Sequence, residues 1–207
     1  TITDFRKLGN SNDMGIALRG SVDSSGRFTY SLMAGNGTGA LPEKDKLKKF
    51  YGAFGAKVFS ERIIFEVYAD YEDISPVKNK TTWKALAAFQ IKPVTIGAEA
   101  VTQLQTGFKN DTAGFYPAGV ALFIRGTLGE KLNGFVRYDW FNPDTKNNTE
   151  PGTYMERFTM IGLEYAPHDQ IRFMPNIWIN SYTDKRSVPL SRKPDVAVRM
   201  TFYCMLR

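Results

Sequence analysis

The stretch Arg62-Ile-Ile-Phe-Glu-Val-Tyr-Ala-Asp-Tyr-Glu72 decides the fold class of this chain. Its odd-numbered positions, from Ile63 to Tyr71, are apolar, whereas most of its even-numbered positions carry a charge or a hydroxyl group. Successive side chains of a strand point to opposite faces, so this pattern predicts a strand with one apolar and one polar face. Its length matches the ~9–11 residues of a tilted membrane-crossing strand, whereas soluble strands average about five or six.

The same alternation recurs in segments of about ten residues along the whole chain. The eleven predicted strands are Met14–Val22, Arg27–Gly35, Lys49–Phe59, Arg62–Glu72, Thr81–Ile91, Val94–Leu104, Ala118–Leu128, Leu132–Phe141, Tyr154–Ala166, Gln170–Tyr182 and Asp195–Leu206. No linker or second domain interrupts them. The chain is therefore predicted to be all-β, with residues 1–207 forming one antiparallel transmembrane β-barrel region.

The connections between these segments alternate in length. Five are tight turns, and the links between them are predicted to run about eight to seventeen residues. Short turns at one end and long loops at the other are typical of outer-membrane barrels. The apolar face also places Tyr71, Trp83, Tyr138 and Trp140 at the loop end, where an aromatic girdle would meet the membrane surface. A bacterial outer-membrane location in contact with lipid follows as an expectation.

Composition narrows the function classes. No run approaches the ~18 consecutive apolar residues of a membrane helix. The net charge of +6 comes largely from Lys clusters between strands, which favours solvated loops and gives no reason to expect nucleic-acid binding. Cys204 and His168 are the single Cys and His, so neither a disulfide framework nor a Cys/His zinc site is expected. His168 lies in a Pro-His-Asp turn, and we expect neither a cofactor nor enzymatic activity.

The strand count bears on how much of a barrel is present. Bacterial barrels have even strand numbers, and eleven is odd. If the last segment runs toward the periplasm, residues 1–13 would end an extracellular loop, and at least one N-terminal strand is expected beyond the eleven. A soluble β-sandwich or a lipocalin-like binder also alternates, with its apolar face inside, and stays open as the less favoured alternative.

One part of the chain resembles a known family. The run Phe5-Arg-Lys-Leu-Gly-Asn-Ser-Asn-Asp-Met-Gly-Ile-Ala-Leu-Arg-Gly-Ser-Val22 leads into Arg27-Phe-Thr-Tyr-Ser-Leu-Met-Ala-Gly-Asn-Gly37. This resembles the phosphate-selective porins of the O and P type, in which a loop end leads into a Gly-rich strand and then a strand that ends Gly-Asn-Gly. The resemblance is sharp over about the first 40 residues. It implies a sixteen-stranded, homotrimeric porin that passes small anions such as phosphate.

Charges on the polar face are the candidate selectivity determinants, because rings of Arg or Lys attract anions in a confined aqueous path. The predicted pore-lining and anion-binding residues are Arg19, Lys57, Lys84, Arg125, Arg137 and Arg199. The four arginines are expected to lie farthest from the turns. Alternatively, these charges pair across strands, as in Arg137 with Asp139 or Arg62 with Glu66, and the chain is a plugged structural barrel in a larger envelope complex.

Overall fold

The computed structural model describes residues 1–9, 12–39, 41–42, 46–108, 114–146, 154–184 and 191–205. One short helix, α1 (Ile2–Phe5), precedes eleven strands. The strands are β1 (Gly15–Ser21), β2 (Phe28–Gly35), β3 (Lys49–Val58), β4 (Ile63–Ser75), β5 (Lys78–Ile91), β6 (Val94–Thr106), β7 (Ala118–Gly129), β8 (Leu132–Asn142), β9 (Tyr154–His168), β10 (Ile171–Asp184) and β11 (Asp195–Cys204).

The strands form one antiparallel sheet in which each strand pairs with its neighbours in sequence, from β1 to β11. Within the described residues the sheet is open, because β1 pairs only with β2 and β11 only with β10. The all-β class and the antiparallel sheet of eleven strands are thus confirmed. The described sheet does not close into a barrel.

All eleven predicted segments coincide with strands, and their ends differ from the prediction by a few residues. Leu206, the predicted end of the last strand, lies outside the described residues. The link between the fourth and fifth strands was predicted wrongly as a loop of about eight residues. The ladder continues through Glu72 opposite Lys80 and Asp73 opposite Asn79, so only Pro76 and Val77 separate β4 from β5. Cross-strand pairing of these polar residues extends the hairpin.

The two faces of the sheet have the predicted composition. One face, which we call the apolar face, carries exposed large side chains such as Phe65, Val67 and Leu122. The opposite face, the polar face, carries charged groups, and among the described residues buried polar side chains outnumber buried apolar ones. This polarity is inverted relative to a soluble sheet, whose apolar face is covered by a core.

The turn between β1 and β2 is fixed by one carboxylate. Asp23 accepts hydrogen bonds from the Phe28 backbone N–H at 2.9 Å, from Arg27 Nε at 3.3 Å and from the Ser25 hydroxyl. These donors stabilise the charged carboxylate, with Ser25 contributing most, and lower the pKa of Asp23 to about 2. Gly26 follows with φ of +69°, a conformation that favours glycine.

Candidate pore-lining face

The N-terminal segment, residues 1–9, lies on the polar face. Ile2 is completely buried there and forms a small apolar cluster with Leu8, Val101, Ala121 and Phe141. The position of the Ile2 side chain requires a glycine in β7, because a Cβ atom at Gly119 would lie 2.8 Å from Ile2 Cδ1. Residues 1–13 were predicted as the end of an extracellular loop, and residues 1–9 lie over the polar face of the sheet.

Polar contacts hold the N-terminal segment to the strands beneath it. The Ile2 backbone N–H donates to Glu99 Oε2 at 3.0 Å, and Gln103 Nε2 donates to the Leu8 carbonyl oxygen at 2.7 Å. The Arg6 guanidinium forms an ion pair with Glu156 of β9. With its side chain only 6% exposed, Arg6 is a buried cation with one charged partner, and its guanidinium also lies 5.2 Å from the centroid of the Phe141 ring.

All six predicted pore-lining residues lie on the polar face, because directly opposed residues of antiparallel strands share a face. Arg19 opposes Ser31 in β2, and the row continues through Ala53 and Tyr68 to Lys84. Lys57 lies on the same side of β3, and the row through Arg137 reaches Met160 and Trp178. Arg125 and Arg199 have the matching parity on β7 and β11.

Three of the six are paired with carboxylates. Lys84 Nζ lies 3.1 Å from Glu66 Oε1 and 3.9 Å from Glu99 Oε1. Arg137 donates from Nε and Nη2 to the two oxygens of Asp139 at 2.7 and 2.9 Å. The sequence analysis anticipated this pair as a contact across strands, but both residues lie on β8. The other anticipated pair was wrong, because Glu66 takes Lys84 as its partner rather than Arg62.

Arg125 forms the third pair, with Glu164 Oε1 at 2.7 Å. It lies near the turn between β7 and β8, opposite Phe135, and Arg19 lies two residues before the turn end of β1. The expectation that the arginines lie far from the turns was therefore wrong for these two. Arg172 Nη1 approaches the same Glu164 oxygen at 3.6 Å. One carboxylate therefore serves two cations at the turn end of the polar face.

The other three candidates have no carboxylate partner in the part of the chain that the structure describes. Arg19 and Lys57 are exposed. The Arg199 guanidinium lies 3.6 Å from the centroid of the Trp178 ring, a cation–π contact that leaves its charge uncompensated. The structure thus divides the six candidates into paired cations in the middle strands and unpaired ones on β1, β3 and β11.

Sequence reasoning missed two buried cations. Lys49, the first residue of β3, lies 3.5 Å from Asp70 and 3.3 Å from Glu72. Its polar-face parity was visible in the sequence, although its position at a strand end favoured a loop charge. Arg6 was not singled out because only the folding of the N-terminal segment onto β9 brings it to Glu156.

Cations with aromatic partners line the loop end of the sheet. Lys78 and Lys80 both lie over the Phe108 ring, at 5.7 and 5.3 Å from its centroid. Lys146 lies 4.0 Å from the Tyr116 centroid. Such contacts hold the charges in place without neutralising them. The loop end therefore adds positive charge beside the polar face.

The geometry of the described residues gives little support to a metal site. Across the described ranges, no three His, Cys, Asp or Glu side chains come together in a group that could hold a metal ion. No helix among the described residues is long and apolar enough to cross a membrane. No protein-family model matches the chain, and no curated protein or solved structure shows significant similarity to it. The resemblance to phosphate-selective porins accordingly stays a prediction.

Proposed function

We propose that this chain forms most of the wall of a porin in the bacterial outer membrane, through which small anions such as phosphate diffuse. The inverted polarity of the sheet is the observation that carries this proposal. Large apolar side chains are exposed along every strand from β3 to β8, while Asp70, Glu99 and Asp139 are buried on the opposite face. Lipid on the apolar side and water on the polar side would satisfy both sets.

The aromatic side chains of the apolar face support a membrane span. One band at the loop end consists of Tyr71, Trp83, Tyr138 and Trp140. A second band at the turn end consists of Phe89, Tyr165, Phe173 and Phe202. Trp140 opposes Arg157, which lies eight residues before Tyr165 on β9, or ~26 Å along the strand. A tilt near 40° reduces this to about 20 Å, comparable to the ~25 Å apolar band of outer-membrane barrels.

Closure requires partners for both edge strands, because unpaired backbone groups are costly in lipid. We propose that further strands pair with β1 and β11 to complete a barrel of sixteen strands that assembles as a homotrimer. These numbers rest on the family resemblance alone.

An anion preference follows from the balance of charges on the polar face. Each carboxylate that β4, β6, β8 and β9 place there has a cation partner in an ion pair. Arg19, Lys57 and Arg199 have none in the described residues, and the loop end adds further cations. Lys49 and Lys84 each serve two carboxylates, so the anion preference rests on the cations without a carboxylate partner, whose positive charge would attract anions into a confined aqueous path.

Planar-bilayer recording of the full-length protein tests this proposal. Across a KCl gradient the reversal potential is expected to show anion preference, and added phosphate is expected to reduce the chloride current. Arg199→Glu should shift the reversal potential toward cations. Arg157→Glu is the matched control, because it makes the same change of charge on the apolar face of β9 and should leave ion preference unchanged. A cation-preferring channel, or equal shifts for both variants, would overturn the anion assignment.

A plugged structural barrel is the second candidate, and the N-terminal segment favours it. Buried Ile2 and Leu8 anchor this segment over the middle of the polar face, where a narrow pore would be obstructed. Correctly inserted protein without conductance steps would support the plugged barrel and overturn the porin.

A further inference from the structure

A cavity of about 370 Å³ lies on the polar face where the N-terminal segment meets β8, β9 and β10. Its lining consists of Thr1, Asp4, Phe5, Arg137, Phe158, Met160 and Trp178. This volume falls in the ~300–1,000 Å³ range of small-molecule sites. Its lining, mainly apolar with a few polar groups, also has the composition of such sites.

Three aromatic rings form the apolar part of the cavity. The Phe5 and Phe158 centroids are 4.4 Å apart, and Phe158 meets Trp178 edge to face at 5.3 Å with an interplanar angle of 90°. Phe5 and Trp178 are 5.6 Å apart and also edge to face. Rings set at such angles offer both edges and faces, so another aromatic ring can join them in the geometries that aromatic pairs prefer.

Charges of both signs form the polar part. Asp139 fixes the Arg137 guanidinium through Nε and Nη2, while Arg137 Nη1 has no hydrogen-bond partner in the described residues. Asp4, with its side chain 42% exposed, accepts a hydrogen bond from the Thr1 hydroxyl, the largest of the effects that lower the pKa of Asp4. Asp4 and Asp139 balance the charges of Arg137 and of the Arg199 that covers Trp178, and the Thr1 amino nitrogen lies 3.4 Å from Asp4 Oδ2.

We propose that this cavity is a subsite for a zwitterionic small molecule that carries an aromatic ring, with aromatic amino acids as the simplest members of the class. The carboxylate of the ligand binds Arg137, its ammonium group binds Asp4, and its ring packs against Phe5, Phe158 and Trp178. A simple inorganic anion would use only Arg137 and leave the aromatic wall in contact with water. The inference goes beyond the proposed function and rests on it, because the ligand reaches the cavity through the pore.

Block of the channel by four small molecules tests the subsite in the full-length protein. L-phenylalanine has the ring and both charges, 3-phenylpropionate lacks the ammonium group, phenethylamine lacks the carboxylate, and glycine lacks the ring. L-phenylalanine is expected to reduce the current at a concentration at least tenfold lower than any of the other three. Equal potency of glycine or of 3-phenylpropionate would overturn the proposal.

Two substitutions assign the contacts. Asp4→Asn should raise the half-blocking concentration of phenylalanine to that of 3-phenylpropionate, since the variant cannot pair with the ammonium group. Phe158→Leu should weaken phenylalanine block at least fivefold, whereas Met160→Leu, a matched change in the same wall that removes no ring, should leave it within twofold. Equal effects of the two leucine variants would contradict the ring contact.

The design separates the two proposals. Anion conductance without phenylalanine block overturns the subsite and leaves the pore standing. If the inserted protein shows no conductance, the pore is overturned, and equilibrium dialysis of the detergent-solubilised protein against radiolabelled phenylalanine then decides the subsite. Saturable binding that Asp4→Asn weakens would support the subsite, and its absence would overturn it.

Discussion

The middle of the polar face and its edges handle charge in different ways. Under and beside the N-terminal segment, Lys49, Lys84 and Arg137 are largely removed from water and each contacts a carboxylate. On the edge strands, Arg19 and Arg199 are exposed and contact none within the described residues. Burial of a charge is expensive unless it is paired, whereas an exposed charge keeps its hydration. The paired charges of the middle therefore stabilise the sheet, whereas the edge strands carry cations without a described carboxylate partner.

Removing one partner of a buried pair should give the largest effect. Arg137→Met leaves the fully buried Asp139 without its cation, and we expect the free energy of unfolding to fall by about 3–5 kcal/mol. Urea-induced unfolding in detergent micelles, followed by tryptophan fluorescence, measures this loss. The double variant with Arg137→Met and Asp139→Asn should recover most of the stability. Equal losses of unfolding free energy in the single and double variants would show that the unpaired Asp139 carboxylate is not the cause of the loss.

Loosening the N-terminal segment should have the next largest effect. Ile2→Ala removes buried apolar volume, a change that costs about 2–5 kcal/mol in protein cores and weakens the anchor on β6 and β7. Single-channel conductance should rise because the segment no longer holds its place over the polar face. Ile16→Ala is the control, since Ile16 is 85% exposed on β1. Conductance that stays the same in both variants would show that the segment does not restrict the pore.

An edge cation should matter little for stability. Arg19→Ser removes an exposed charge that has no described partner, and we expect the free energy of unfolding to change by less than about 0.5 kcal/mol. The same urea titration measures it. A loss as large as that of Arg137→Met would erase the distinction between the middle and the edges.

The smallest expected effect concerns the turn of the edge hairpin. The pKa of Asp23 is lowered in the fold, so its stabilising contribution is complete above the ordinary value of 3.8 and disappears as the pH falls toward about 2. A carboxyl NMR titration should give a midpoint near 2, and Ser25→Ala should move it upward. A midpoint at the ordinary value in the parent protein would contradict the hydrogen bonds of this turn.

Periodicity was sufficient to predict the strands and their faces. The alternation of apolar and polar side chains in Arg62–Glu72 was enough to predict both faces of β4. The extension of the β4–β5 hairpin was missed because Asp73 and Asn79 are poor strand formers that pair only across the ladder. Local pattern carries no information on such pairing.

The sequence predicted which residues make up the candidate site but not which of them pair with one another. Parity placed all six cations on one face, but which of them are paired depends on neighbours far apart in sequence, such as Arg125 and Glu164. The position of residues 1–9 could not be predicted either, because it also depends on contacts with residues far away in sequence. Ile2 and Leu8 show no strand periodicity, and their burial depends on Val101 and Gly119 of distant strands.

The central claim is that the apolar face of the sheet meets lipid and the polar face meets water. Single-cysteine labelling on β3 tests it most directly, with Cys204→Ser as the background and the full-length protein in lipid vesicles. Lys57→Cys should react with a charged, membrane-impermeant thiol reagent. Phe54→Cys should not react, and a fluorophore attached to it before reconstitution should be quenched by brominated lipids. Reaction of both positions, or quenching at Lys57→Cys alone, would contradict the account.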